Sequence, residues 1–189
     1  VTIMPTEVDT KINGLAIDDE PVESVGAGEN ILITFDKGAL SMDQIYGGCV
    51  ICQKENPTKV VEEFLAEIYV HELPAGIMTA GYQAMFHCHN VSTMCDIKEI
   101  PHKLHKKTMK RSKMAPPFLR SHDRAIARIK LDQKTALESF DDCAALGRFT
   151  LRDQGKTVVI GKIREIFASK SRLRSKKGRG GGGDSKQDK

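Results

Sequence analysis

The run Leu146-Gly147-Arg148-Phe149-Thr150-Leu151-Arg152-Asp153-Gln154-Gly155-Lys156-Thr157-Val158-Val159-Ile160-Gly161-Lys162-Ile163 reads as two strands joined by a tight turn. Successive side chains of a strand point to opposite faces. Phe149 and Leu151 therefore point one way and Arg148, Thr150 and Arg152 the other. Gly155 supplies the turn, and the β-branched run from Thr157 to Phe167 is expected to be a strand covered on both sides. Gly155-Lys156-Thr157 resembles the end of a phosphate-binding loop, but that loop needs a glycine at position 150, where Thr stands, and a helix afterwards. No nucleotide site is expected there. Arginines on an exposed strand face suit carboxylate or phosphate contacts.

Outward from this hairpin the same period of two recurs. Phe64, Ala66, Ile68 and Val70 share one face, as do Tyr82, Ala84, Phe86 and Cys88, and Ala125, Ala127, Ile129 and Leu131. Earlier strands are expected at residues 10–17, 22–25, 31–35 and 49–52, with Val1 to Pro5 a strand ending in a turn. One helical turn is allowed, within Ser139 to Leu146. Many short strands bounded by Gly, Asn and Pro imply an all-β barrel or sandwich, because closure removes exposed edges. A boundary is expected at Gln53 to Lys59, which divides the chain into a piece over residues 1–55, a barrel over 59–168 and a tail over 169–189. About fifty residues are too few to close a barrel well, so the first piece reads as part of a truncated domain.

The 189 residues are 40% hydrophobic and 29% charged, which places the chain among soluble globular proteins. No apolar run approaches the ~20 residues that span a bilayer. A cytoplasmic location without membrane contact is expected. The net charge of +4 conceals an asymmetry: residues 1–100 hold 16 acids against 5 bases, whereas residues 101–120 hold 7 bases and no acid. The segment from His102 to Pro117 is expected to be a long basic loop, and the tail after Phe167 to be disordered. Lys103, Lys106, Lys107, Lys110, Arg111 and Lys113 are the candidates for a weak ribosomal RNA contact. Cys49-x-x-Cys52 with His87, Cys88, His89 and Cys95 is set aside as a zinc site, since strand alternation separates the second set and no second Cys-x-x-Cys exists. No catalytic constellation stands out.

Gly147-Arg148-Phe149-Thr150-Leu151-Arg152-Asp153 resembles the end of the third domain of eukaryotic release-factor GTPases, members of the elongation-factor-Tu-like superfamily. Gly26 to Asn30, Gly81-Tyr82 leading into His87-Cys88-His89, and Lys113 to Phe118 fit the same family in the same order. Where that family tends to have Tyr-Pro ahead of Gly-Arg-Phe, this chain has Cys143-Ala144. The resemblance implies antiparallel Greek-key barrels of the elongation-factor domain 2 and domain 3 type. Residues 1–55 would be the later half of domain 2, and 59–168 a six-stranded domain 3.

It further implies that a preceding GTPase domain holds GTP and Mg²⁺, and that this chain has no cofactor and is not itself an enzyme. Domain 3 would hold the class 1 release factor for delivery to the ribosome at stop codons. The partner-binding residues would be Gly147, Arg148, Phe149, Thr150, Leu151, Arg152 and Asp153, with Phe149 and Leu151 mainly supporting the core. Two alternatives stay open: the barrels of a ribosome-rescue GTPase that pairs with a pelota-type factor, and a basic RNA-binding barrel.

Overall fold

The computed structural model describes residues 1–36, 38, 40–105 and 108–168, which places the tail and its expected disorder outside the described residues. Twelve strands occur in chain order: β1 (Thr2–Met4), β2 (Val8–Asp9), β3 (Ile12–Ile17), β4 (Glu20–Val22), β5 (Leu32–Phe35), β6 (Val50–Cys52), β7 (Val60–Val70), β8 (Gln83–Cys88), β9 (Val91–Leu104), β10 (Arg124–Ala136), β11 (Arg148–Asp153) and β12 (Lys156–Ala168). A four-residue α-helix, α1 (Ala144–Gly147), precedes β11, and a short 3-10 helix spans Met42–Gln44. No helix among the described residues is long and apolar enough to cross a membrane.

The last six strands close into an antiparallel barrel in the order β10-β7-β12-β11-β8-β9. The meander β8-β9-β10 with β7 returning beside β10 is a Greek-key arrangement. The first six strands form two three-stranded sheets, β2-β1-β6 and β4-β3-β5. Met4, Val60 and Ala136 form a small buried cluster between β1 and the barrel, with Val50 and Cys52 packed against it. Gly48, at φ +106°, lies so close to Val91 that an added Cβ would sit 2.7 Å from its Cγ2. The two parts of the chain thus meet through side-chain packing.

The barrel core follows the pattern of two. Phe64, Ala66, Ile68 and Val70 are buried, as are Ala84, Phe86 and Cys88, and Ala125, Ala127, Ile129 and Leu131. At its centre Phe64, Phe86 and Phe149 pack with ring centroids 5.2 to 5.7 Å apart, a tilted and edge-on arrangement that suits aromatic quadrupoles. Gly161 stands opposite Phe149 in the β11–β12 register, and its missing side chain is what the ring occupies.

Four expectations need correction. The strand β9 is fourteen residues long and was not anticipated, because Pro101 reads as a strand breaker and the alternation of Thr93, Cys95 and Ile97 jumps to Ile100. The pairing of β10 with β9 explains both: its register shifts between Ile126, opposite His102, and Arg128, opposite Glu99. Proline is tolerated at such a bulge. Consequently the basic segment begins in a strand, and its loop is partly paired, with Leu104 bridging Arg111 and Ser112 N–H donating to Lys103 O at 2.8 Å.

The strand β12 is covered on one face only, for Ile160 and Phe167 are exposed, as the outer wall of a closed barrel requires. The strand β4 starts earlier than expected, since Asp18 and Asp19 both adopt positive φ and make a two-residue turn that pairs Ile17 with Glu20. His89 is a turn residue at φ 51°, not the strand residue expected beside His87.

Substituting Gly161 by Ala should push a methyl into the Phe149 ring and lower stability by ~1–3 kcal/mol, part of it recovered by Phe149→Leu in the same chain. Urea unfolding measures both, and an unchanged midpoint for Gly161→Ala would contradict this packing.

Candidate protein-docking face

Tight local geometry fixes the β11–β12 hairpin. Its loop is two residues, Gln154 at φ 48° and Gly155 at φ 77°, a turn whose twist matches that of paired strands. Gly155-Lys156-Thr157 therefore leads into a strand and not a helix N-terminus, so these residues do not fit a phosphate cradle. At the other end, Gly147 is buried against the backbone of Ser139 and Phe140, where any side chain would collide.

Within β11 the pleat sorts six of the seven sequence-selected residues, the seventh, Gly147, ending α1. Phe149 and Leu151 are 1% and 0% exposed and face the core, whereas Arg148 and Arg152 are exposed and Thr150 is half-buried on the outer face. Asp153 accepts a 2.6 Å hydrogen bond from the Tyr82 hydroxyl. Burial, then the hydrogen bond and charge of Asp153, push the Tyr82 phenol well above its ordinary value. Arg152 Nη2 donates to Gly155 O at 2.9 Å, which folds it along the turn. Arg148 lies over the Phe140 ring at 5.4 Å, with Lys162 Nζ over the same ring at 5.6 Å.

Strand order brings further groups beside these. Thr150 pairs with His87 on β8 and Ile160 on β12, and Ile160 pairs in turn with Tyr69 on β7, which pairs with Arg124 on β10. One row lower, Arg152 is opposite Met85 and Met85 opposite Met94. Ile160, Met85 and Met94 are all exposed, so an outward belt of apolar and cationic groups runs around the hairpin. Sequence reading missed Tyr69, Arg124, Ile160 and Lys162, which the cross-strand register brings to this face, and Phe140, which its N–H bond to Ile163 O sets beside Arg148.

The basic segment is organised differently from the expectation of six available cations. Lys106 and Lys107 lie outside the described residues, and Lys103 is held by Asp123 at 2.7 Å. Lys110 and Arg111 line a cavity of about 660 Å³ beside the barrel with His105, Thr108 and Ser112. The cysteines are dispersed: burial raises the Cys88 thiol to about 11 and that of Cys95 to about 12, and Cys49 and Cys52 lie in the first part of the chain. Among the described residues no group of three or more His, Cys, Asp or Glu side chains converges as metal ligands would.

The GTP-eEF1A C-terminal domain-like family model matches residues 63–164, more than half of the chain and nearly the whole barrel. The chain belongs to this family. Among curated proteins it is 34% identical to the eukaryotic peptide chain release factor GTP-binding subunit of Kluyveromyces lactis, over 87% of this chain and 23% of that protein. It is 33% identical to the elongation factor 1-alpha of Hyperthermus butylicus, over 94% of this chain and 40% of that protein. The crystal structure of sup35 complexed with GDP superimposes with a TM-score of 0.79 at 30% identity, covering 88% of this chain and 40% of that one. The chain thus spans between about a quarter and two fifths of the length of these relatives. It is a member of the translational GTPase family, and release factors and elongation factors match it at nearly the same identity.

The Tyr82–Asp153 bond ties the entry of β8 to the end of β11. A phenol whose pKa is raised on folding contributes stability that is complete below its unfolded value of about 10 and is lost as pH rises through the folded value. Tyr82→Phe should cost ~1–2 kcal/mol at neutral pH and flatten the loss of stability above about pH 10. Urea melts from neutral to alkaline pH test it, and an identical alkaline slope in both proteins would count against the bond.

Proposed function

We propose that this chain supplies the partner-docking barrels of a translation-termination GTPase, holding a class 1 release factor for delivery to the ribosome in the cytoplasm. On this reading residues 1–55 are the later half of the elongation-factor-like second barrel, and 59–168 are the third. GTP and Mg²⁺ belong to a separate GTPase domain of the whole protein, and hydrolysis is not a property of this chain.

The observation that supports the reading is the division of labour in β11. Phe149 and Leu151 are sealed in the core, which leaves Arg148, Thr150 and Arg152 as an outward row on an otherwise rigid wall. A pre-ordered strand presents its side chains with little entropy to lose, which favours docking. Gly147 and Asp153 act through their packing and hydrogen bond and Phe149 and Leu151 through the core, so contact with the partner falls to Arg148, Thr150 and Arg152.

The ribosome-rescue reading uses the same wall with a pelota-type factor, and the nearly equal identity to elongation factor 1-alpha is a reason to test partner choice directly. Titration of the whole chain with a class 1 release factor and with a pelota-type factor should give tighter binding to the first. Arg148→Ala and Arg152→Ala together should weaken it by ~2 kcal/mol, about thirtyfold. Preference for the pelota-type factor reverses the assignment, and an unaffected affinity in the double variant removes these arginines from the contact.

A further inference from the structure

A shallow depression of about 270 Å³ lies over β7 and β12, walled by Phe140 and floored by Ile160 and Tyr69. Its rim carries Arg124, Arg148 and Lys162, and Glu67 is the one carboxylate lining it. Glu67 is already engaged: Arg164 Nη2 donates to it at 2.6 Å and Lys162 Nζ stands 3.8 Å away. Among the described residues neither Arg124 nor Arg148 has a carboxylate within ion-pair distance.

Each of these guanidinium groups instead lies over an aromatic ring, Arg148 over Phe140 at 5.4 Å and Arg124 over Tyr69 at 5.7 Å. Stacking orients a planar guanidinium and leaves its N–H edge available for a bidentate acceptor. Arg124 also points Nη1 at Met109 Sδ, 3.6 Å away, a weak acceptor that a carboxylate would displace. Between the two arginines lies the exposed side chain of Ile160.

Strand order sets the spacing. Arg124 on β10 and Arg148 on β11 are separated by β7 and β12, three inter-strand steps of ~4.8 Å each, and the pairings put Thr150 in the row of Arg124 with Arg148 two residues further along, so their backbones are roughly 16 Å apart. An extended chain advances ~3.3 Å per residue and turns successive side chains to opposite faces, so carboxylates about four residues apart, roughly 13 Å, share a face and reach both arginines through their side chains. We propose that this depression takes an extended acidic segment of a protein partner, its two carboxylates on Arg124 and Arg148 and an intervening apolar side chain on Ile160. The proposal rests on the reading of the barrel as a protein-docking wall and adds the chemistry of what docks. Phosphates of an RNA would also meet the guanidinium groups, but the exposed apolar Ile160 between them favours a peptide carrying an apolar side chain over a phosphodiester backbone.

The test is retention of the whole chain on an array of short synthetic peptides in which two glutamates flank one leucine at graded separations, with polyuridylate as competitor. Retention should peak at a separation of about four residues and drop at odd separations, which turn the two carboxylates to opposite faces. Arg124→Glu with Arg148→Glu should lower it about tenfold or more, and Arg124→Gln with Arg148→Gln, which keep the stems, should also lower it. Indifference to separation, or retention unchanged in both double variants, overturns the proposal, as does binding of polyuridylate with the peptides inert. If the class 1 factor binds but the array shows no preference, this proposal falls and the docking reading stands. If the array responds and the class 1 factor does not bind, the acidic-segment site stands and the assigned partner falls.

Discussion

The insertion of the Phe149 ring into the space that Gly161 leaves open is the contact on which the rest of the barrel depends. It fixes which face of β11 is inward, because a slip of one residue would turn the entire strand over. With Phe149 locked against Phe64 and Phe86, Leu151 must follow it inward. Arg148, Thr150 and Arg152 must then face out. The arginine row is thus a consequence of core packing, held by the same residues that close the barrel.

Neighbouring features preserve that geometry. The two-residue turn at Gln154-Gly155 pins the register of β11 with β12, the Tyr82 hydroxyl anchors Asp153, and buried Gly147 lets the chain enter the strand against Phe140. Phe140 has a double role, since it packs over the Gly147 approach and offers its ring to Arg148 and Lys162. The loop that carries Cys143-Ala144 therefore directly borders the outward face. A difference in this loop can retune what the wall accepts while the core stays unchanged.

Much of the barrel was legible because its strands keep a strict period of two: the inward sets on β7, β8 and β10 and the hairpin itself are read from the residue order alone. The strand β9 was not, because a bulge interrupts its alternation and Pro101 imitates a boundary. The one-sided exposure of β12 was hidden by its β-branched composition, which looks alike whether one face or two are covered. At the candidate site, the arginines of β11 could be picked out and their direction inferred. Their companions could not, since Arg124 and Tyr69 are distant in sequence and reach Ile160 only through the pairings of β10, β7 and β12.

The central claim is that the outer wall around β11 meets a protein partner in translation termination. The most direct measurement is a map of backbone amide NMR shifts of the isotope-labelled chain as unlabelled class 1 release factor is added. The account predicts that the perturbed amides cluster on Tyr69, Arg124, Arg148, Thr150, Arg152, Ile160 and Lys162. Perturbations confined to the far end of β10 and β12 around Arg128 and Phe167, or to the basic segment near Lys110 and Arg111, would contradict it.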